Sequence, residues 1–439
     1  MLGGGTFVTQ NKVLPGSYIN FISQASASAT MSDRGIAAIP LVADWGPEHE
    51  VIRVEKEDFE KNSLAIFGYS YTHEQVQAVR EIFRNARRLY WYRLNTGTQK
   101  ASNDYADARY GGTRGNSLRI VIQKNEDKEE LFDVVTWLDT IQIDSQTVAD
   151  ASELQDTEFV VWKKEAELQE TAGMPLTGGS DGTGRTGEAY QGFLDKIGAY
   201  SFHALGCNTD EKEVIDLFVS FTKRMREEVG VKFQTVVYRA ENADYEGVIS
   251  VENALKNVNP QVFGEFSLVY WVTGAAAGCA VNKSNTNKVY DGEYTIDVEY
   301  SQTALEDGIQ AGKFLFHQVG EEIRVLTDIN TLVTVTDEKG ADFKSNQTIR
   351  VLDQIGNDIA DLFNTRYLGR VANDNAGRLS LWGDIVEYFR QLEQIRAIEA
   401  FDPEAVSCEM GQTRKSVAVT ASITPTNCME QLYMTVVIQ

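Results

Sequence analysis

From residue 187 onward helical and strand patterns take turns along the chain, and this alternation restricts the possible folds more than any other feature. Tyr190, Phe193, Leu194 and Ile197 make one helical face, and residues 201–205 read as a strand. Asp210 is placed to cap a long helix on Val214, Leu217, Phe218, Phe221 and Met225, which Gly230 stops. Residues 233–238 and 247–251 are strands again. Strands joined through helices lie parallel in one sheet, because the helix carries the chain back to the starting edge. The block before residue 98 has the same character. Residues 36–42 form an apolar strand ending at the turn Trp45-Gly46-Pro47, and residues 64–67 and 88–94 read as two more. Between those two, Thr72 and Gln75 have capping-box spacing ahead of Val76, Val79, Ile82 and Phe83, which predicts a helix.

Two regions break the pattern. Between about residues 100 and 169 the strands 118–122, 131–138, 141–143 and 159–162 follow one another with polar turns and no helix, which predicts an inserted all-β unit. A Gly-rich loop, 178–187, closes it. Near the C-terminus a hairpin-like pair, 314–316 and 323–326 around Gly320, is followed by amphipathic helices over 347–363 and 379–395. The second of these carries Trp382, Ile385, Val386, Phe389, Leu392 and Ile395. A hairpin, 405–410 with 416–423, then turns at Gly411. The uncharged stretch 266–281 is shorter than the ~20 residues of a membrane span and predicts a buried helix.

Both ends of the chain look like strands. Residues 431–439 read QLYMTVVIQ, with Leu432, Met434, Val436 and Ile438 on one face. Residues 6–10 and 17–22 are short extended runs separated by Pro15-Gly16 and preceded by Gly3-Gly4-Gly5. A strand leaves a row of N–H and C=O groups unmet unless another strand accepts it. The acceptor is either this chain's own sheet or a neighbouring copy.

Chemistry is sparse. A formal net charge of −23 argues against a nucleic-acid partner. Cys207, Cys279, Cys408 and Cys428 are far apart, and His49, His73, His203 and His317 stand in no metal-ligand spacing, so we expect no cofactor and no metal. The N-terminus has no leader pattern, and a reduced, cytoplasmic setting is the expectation. Gly178-Gly179-Ser180-Asp181-Gly182 matches the nucleophile-elbow spelling and residues 182–187 match G-x-G-x-x-G. Both motifs need a strand directly before them, and loop residues stand there instead. An α/β hydrolase or nucleotide-binding enzyme using the 178–187 loop is therefore the rival reading. No P-loop is present to power a motion with ATP.

Several segments, in order, resemble the contractile tail sheath proteins of bacteriophages, defective prophages and phage-like bacteriocins, most of all the short Gram-positive type. They are residues 11–21, Arg34-Gly35-Ile36-Ala37 with Trp45-Gly46-Pro47, residues 111–116 with Leu118, and residues 176–182. Residues 274–278 with Ser284, Thr286 and Gly292, residues 328–332, Ile423-Thr424-Pro425 and residues 432–436 complete the set. The resemblance implies a non-enzymatic subunit that stacks in hexameric rings around a tail tube and contracts. It implies a multidomain α/β and α+β fold: a parallel-sheet α/β domain, an inserted all-β domain and a C-terminal α+β domain carrying exchanged terminal strands. The expected division is an arm at 1–22, sheath core at 23–97, β-sandwich-like insert at 98–172, α/β domain at 173–335, inner domain at 336–423 and strand arm at 424–439. Implied partners are copies of itself, the tube protein, and baseplate and tail terminator proteins, with no nucleic acid and no membrane; its implied place is the particle tail, assembled in the host cytoplasm. Strand pairing between subunits would use Phe7, Val8, Tyr18, Ile19 and Phe21, the hairpin residues Val417, Val419 and Ala421, and Leu432, Met434, Val436 and Ile438. Glu387, Arg390, Gln391, Glu393 and Arg396 would face the tube.

Overall fold

The structure, a computed structural model, describes residues 31–256 and 264–438. The first block holds β1 (Ile36–Leu41), β2 (Val51–Glu55), α1 (Lys56–Phe67), α2 (Gln77–Phe83) and β3 (Arg88–Arg93). The all-β unit follows with β4 (Lys100–Ser102), β5 (Ala106–Gly111), β6 (Leu118–Lys124), β7 (Phe132–Leu138), β8 (Ile141–Val148), β9 (Val160–Trp162) and β10 (Thr171–Pro175). The chain then returns through α3 (Gly187–Ile197), β11 (Ala204–Gly206), α4 (Lys212–Arg224), β12 (Gln234–Tyr238), β13 (Val248–Val251), α5 (Leu268–Gly278), α6 (Gln302–Gln310) and β14 (Lys313–Phe314). A hairpin, β15 (Phe316–Val319) and β16 (Glu322–Val325), leads to α7 (Asn346–Leu362), α8 (Asn375–Gln394), β17 (Val406–Met410) and β18 (Val417–Ala421).

Seven strands form the main sheet in the order β14-β13-β12-β11-β1-β3-β2. All neighbours are parallel except β2, which runs antiparallel to β3 on the outer edge. Successive residues of β1 face opposite sides, as strand geometry requires. Ala37, Ile39 and Leu41 join α2 and α5 in one core, and Ala38 joins α3 and α4 in the other. Helix α5 is buried from Leu268 to Ala277, as its uncharged sequence predicts. Two glycines let it lie backbone-to-backbone on α2: a Cβ on Gly274 would sit 2.3 Å from Ile82 O, and one on Gly278 2.0 Å from Asn85 O. Arg34 donates to Ala276 O and Cys279 O, closing the C-terminal end of α5.

The all-β unit comprises a four-stranded antiparallel sheet, β10-β6-β7-β8, and a three-stranded one, β4-β5-β9, over a core that includes Trp45 and Trp162. The boundary expected at residue 172 falls inside β10, and the residues ahead of the Gly-rich segment, expected as loop, are this strand, which pairs with β6. The loop after β10 bridges back to the entry strand through Thr96–Thr183, Gln99–Ser180 and Ser102–Thr177.

Four local expectations are corrected. Residues 64–67 are not a strand but the last turn of α1, whose buried Phe59, Ser63 and Phe67 keep helical spacing; Gly68, at φ 79°, ends it by donating to Leu64 O. His73 rather than Thr72 caps the next turn, its Nδ1 accepting from Gln75 N. Glu211 rather than Asp210 precedes α4 and makes no side-chain cap; Thr209 Oγ1 accepts from Glu211 N instead. The run 314–316 is divided between two sheets, Phe314 pairing with Val251 and Phe316 with Val325.

Candidate functional site

The C-terminal unit is built on α7, α8 and the β17–β18 hairpin, which share one apolar core. Asp374 caps α8 by accepting from Gly377 N. Leu381, Ile385, Tyr388, Phe389 and Leu392 form its buried stripe, while Leu379, expected at its start, is exposed. The hairpin lays Val406 and Cys408 against this core and turns Ser407, Glu409, Ala418 and Thr420 outward; Val419, opposite Cys408, is itself 42% exposed. Trp382 Nε1 donates to Val406 O and fixes the first residue of β17 to α8. Among the described residues neither edge of the hairpin carries a third strand.

After β18 the chain runs back along residues 397–399, where Glu399 N donates to Thr424 O and Thr426 N to Ala397 O. The start of the expected strand arm, Pro425-Thr426-Asn427, is therefore tied down. Asn427 Oδ1 accepts from Ser345 Oγ at 2.8 Å, and Cys428 N donates to Gln347 Oε1 at 3.0 Å. The Glu430 carboxylate accepts from Thr286 Oγ1 at 2.6 Å and Thr327 Oγ1 at 2.9 Å. Release comes only beyond Glu430. Residues 431–438 pair with no strand of the described chain, and Leu432 and Ile438 are 85% and 93% exposed. A run of large apolar side chains left in water costs free energy that a covering surface would recover.

The other candidates sort unevenly. Phe7, Val8, Tyr18, Ile19 and Phe21 lie outside the described residues. Val417 is half-buried and Ala421 exposed on the hairpin. Glu387, Arg390 and Arg396 are exposed, and Gln391 is half-buried. Glu393 Oε1 accepts from Phe401 N, so part of its capacity is used inside the subunit. Arg396 stands just past the helix at φ 60°.

The enzyme-like loop serves packing. Ser180 exchanges backbone hydrogen bonds with Gln99, and a Cβ on Gly182 would lie 2.2 Å from Thr96 O. His203 is pushed down to about 3 by burial and by Arg34 and Arg87, and its Nδ1 accepts from Ile36 N. Among the described residues no cluster of three His, Cys, Asp or Glu could hold a metal, and no helix is long and apolar enough to cross a membrane.

Sequence reading missed the polar face of α7. Asp353 takes a two-pronged bond from Arg226 at 2.6 and 2.7 Å, and Arg350 donates to Asp328 at 2.5 Å. Burial alone would lower both arginines, but the facing carboxylates outweigh it and raise them. The Tyr388 phenol is pushed up by burial and by the Asp358 carboxylate it donates to. The signal was present as charged residues at core spacing in an amphipathic helix, but their partners lie more than a hundred residues away for Asp353 and Tyr388's neighbours lie on another helix.

Family models match most of the chain from residue 34 onward. Residues 34–94 match the tail sheath protein Gp18 domain III N-terminal region, 95–181 the phage tail sheath protein beta-sandwich domain, 183–331 its central domain and 338–439 the phage tail sheath C-terminal domain. The chain is 30% identical to the phage-like element PBSX protein XkdK of Bacillus subtilis (strain 168), with 99% of each chain covered. It is similar to the crystal structure of a sheath tail protein from Desulfitobacterium hafniense, at TM-score 0.81 and 34% identity over 93% of this chain and 96% of that one. The fold also matches the anti-feeding prophage helical sheath in its contracted state, at TM-score 0.58 and 12% identity over 96% and 98% of the two chains.

Proposed function

This chain belongs to the phage tail sheath family, a sheath protein of contractile phage-like systems, and on that premise we propose that its copies stack as hexameric rings around a tail tube and shorten to drive the tube through a bacterial envelope. The observation that supports this reading is an apolar segment, 432–438, left uncovered among the described residues, together with a hairpin that carries no third strand among them. One subunit's segment adds to a neighbour's β17–β18 sheet, and residues of the N-terminal arm add to another's. Main-chain pairing of this kind tolerates rotation of whole domains about the joint. The work of contraction is then the difference between two packings set at assembly.

In this reading the all-β unit faces outward and the C-terminal unit inward, with Glu387, Arg390, Gln391 and Arg396 turned to the tube. Baseplate and terminator proteins bound the two ends of the stack. The subunit assembles in the host cytoplasm and resides in the particle tail.

Negative-stain images of the purified chain should show tubes, rings or polysheaths. Discrete single subunits at every concentration would overturn the proposal. Reversing charge at two exposed positions, Arg390→Glu with Arg396→Glu, should weaken sheath–tube attachment about three- to tenfold without lowering Tm. Undiminished decoration of tubes by that variant would remove this face from the tube contact.

A further inference from the structure

A groove of about 820 Å³ runs between α7 and the end of the α/β body where its parallel strands begin. Gln354, Asp358, Asp361, Asn364 and Thr365, from the second half of α7 and the turn after it, line one wall. Ile36, His203 and Val231, at or just ahead of the starts of β1, β11 and β12, line the other. The first described residues stand in the same groove: Ser32 and Asp33 line it, and Ser32 Oγ donates to Asp358 Oδ1 at 2.6 Å. Consecutive Cα atoms are ~3.8 Å apart, so the residues just upstream have to start beside it.

Gln354 carries an unmet acceptor there. The residue is 2% exposed, and its Nε2 donates to Ser32 O at 3.2 Å and to Asp358 Oδ2 at 2.8 Å. Both of those partners only accept, which fixes which end of the amide is nitrogen. Among the described residues Gln354 Oε1 receives no hydrogen bond. A buried acceptor without a donor is costly, and a backbone N–H laid in the groove would satisfy it.

We infer that residues 24–30 of the same chain, Gln24-Ala25-Ser26-Ala27-Ser28-Ala29-Thr30, dock in this groove in extended form and give Gln354 Oε1 a backbone N–H. These residues lie outside the described ones, and length and chemistry select them. From Gln354 to Thr365 the wall is ~16 Å long at ~1.5 Å per residue, which five extended residues at ~3.3 Å each span. After Gln24 no side chain in the segment is larger than threonine's and none is charged. Its backbone can therefore close on walls that carry Asp33, Asp358 and Asp361 without repulsion. The other uncovered segment, 432–438, brings Leu432, Tyr433 and Met434, whose bulk and apolar surface do not suit these polar walls. With 24–30 docked, the N-terminal arm is free only over residues 1–23, and its reach is measured from there rather than from residue 31. Docking needs no second copy, so it stands or falls separately from the linkage reading.

Amide hydrogen exchange on the full chain, diluted to single subunits, tests this. The amides of 25–30 should exchange about tenfold or more slower than in a free peptide of that sequence. Ala360→Trp plugs the groove from an exposed position on α7 and should bring the rate within about twofold of the free peptide, with α7 itself still protected. Ala27→Trp with Ser28→Trp should do the same from within the segment while changing no residue of the described core. Neighbouring residues of an extended chain face opposite ways, so one of the two indoles meets a wall. Exchange of 25–30 at the free-peptide rate in the parent overturns the docking. So does slow exchange that survives in the segment variant, or in a plugged chain whose α7 stays protected, because the segment is then held elsewhere. Slow exchange that appears only at concentrations where copies associate overturns it too, because the occupant is then a neighbour's segment.

Discussion

A chain ending at Glu430 should fold, stay soluble and form no tubes. Residues 431–438 make no ladder with the described body, and among the described residues their side-chain bonding is local, Tyr433 OH donating to Gln431 Oε1. Their removal therefore leaves every core cluster intact, and Tm should move by no more than ~1 °C, since changes away from buried contacts stay within about ±0.5 kcal/mol. Assembly is another matter. A donated strand contributes several backbone hydrogen bonds at ~0.5–1.5 kcal/mol each and ~1.5–3 kcal/mol per well-buried apolar side chain. A loss above ~4 kcal/mol is about a thousandfold in association, enough to abolish polymers at working concentrations. The shortened chain should also aggregate less before assembly, because a bare apolar strand is a template for wrong pairing. Sedimentation and negative stain decide it: normal sheaths from the shortened chain would refute the linkage.

The largest loss of stability should come from Asp353→Ala. Arg226 and Asp353 are each 6% exposed and meet in a two-pronged bond, and Arg226 Nη1 also donates to Phe233 O. Removing the carboxylate strands a buried guanidinium, which typically costs ~3–5 kcal/mol. In a chain of this size, where 1 kcal/mol shifts Tm by about 1 °C, that amounts to a fall of roughly 3–5 °C. The charge-free pair Arg226→Met with Asp353→Leu should cost much less, because no lone ion remains. Thermal unfolding of the three proteins checks this. A single variant that melts within ~2 °C of the parent would show that water reaches Arg226 and that α7 is less firmly held than its geometry indicates.

Much of the fold could be read from residue patterns because the relevant forces are local. Helices α3, α4, α7 and α8 have apolar stripes that water alone makes decisive, and the parallel sheet follows from alternation. The errors came where local preference was close to balanced. The run at 64–67 is too short to tell a strand from a helix end, and only Phe59 and Ser63 upstream reveal the helical spacing. Edge strand β2 carries Arg53 and Glu55 in five residues, so its apolar signal is diluted. Phe314 and Phe316 are one run in sequence, yet they serve different sheets because β14 has to meet β13.

The residues that carried the family resemblance mostly mark such tertiary requirements. Arg34 closes α5, Gly274 and Gly278 admit α2, and Asp328 receives Arg350 and Asn346. Pattern alone marks them as unusual without saying what they touch. By itself the sequence determined most element types, the parallel sheet, the all-β insert and an apolar C-terminal strand in need of cover, since hydrophobic periodicity acts within a few residues. Only the tertiary structure decided where that strand is released, after Glu430 rather than at Pro425, and that one helix, α7, holds both Ser32 and Cys428. Those outcomes depend on hydrogen bonds and ion pairs between residues far apart in the chain, whose energy exists only once folding has removed water from both partners.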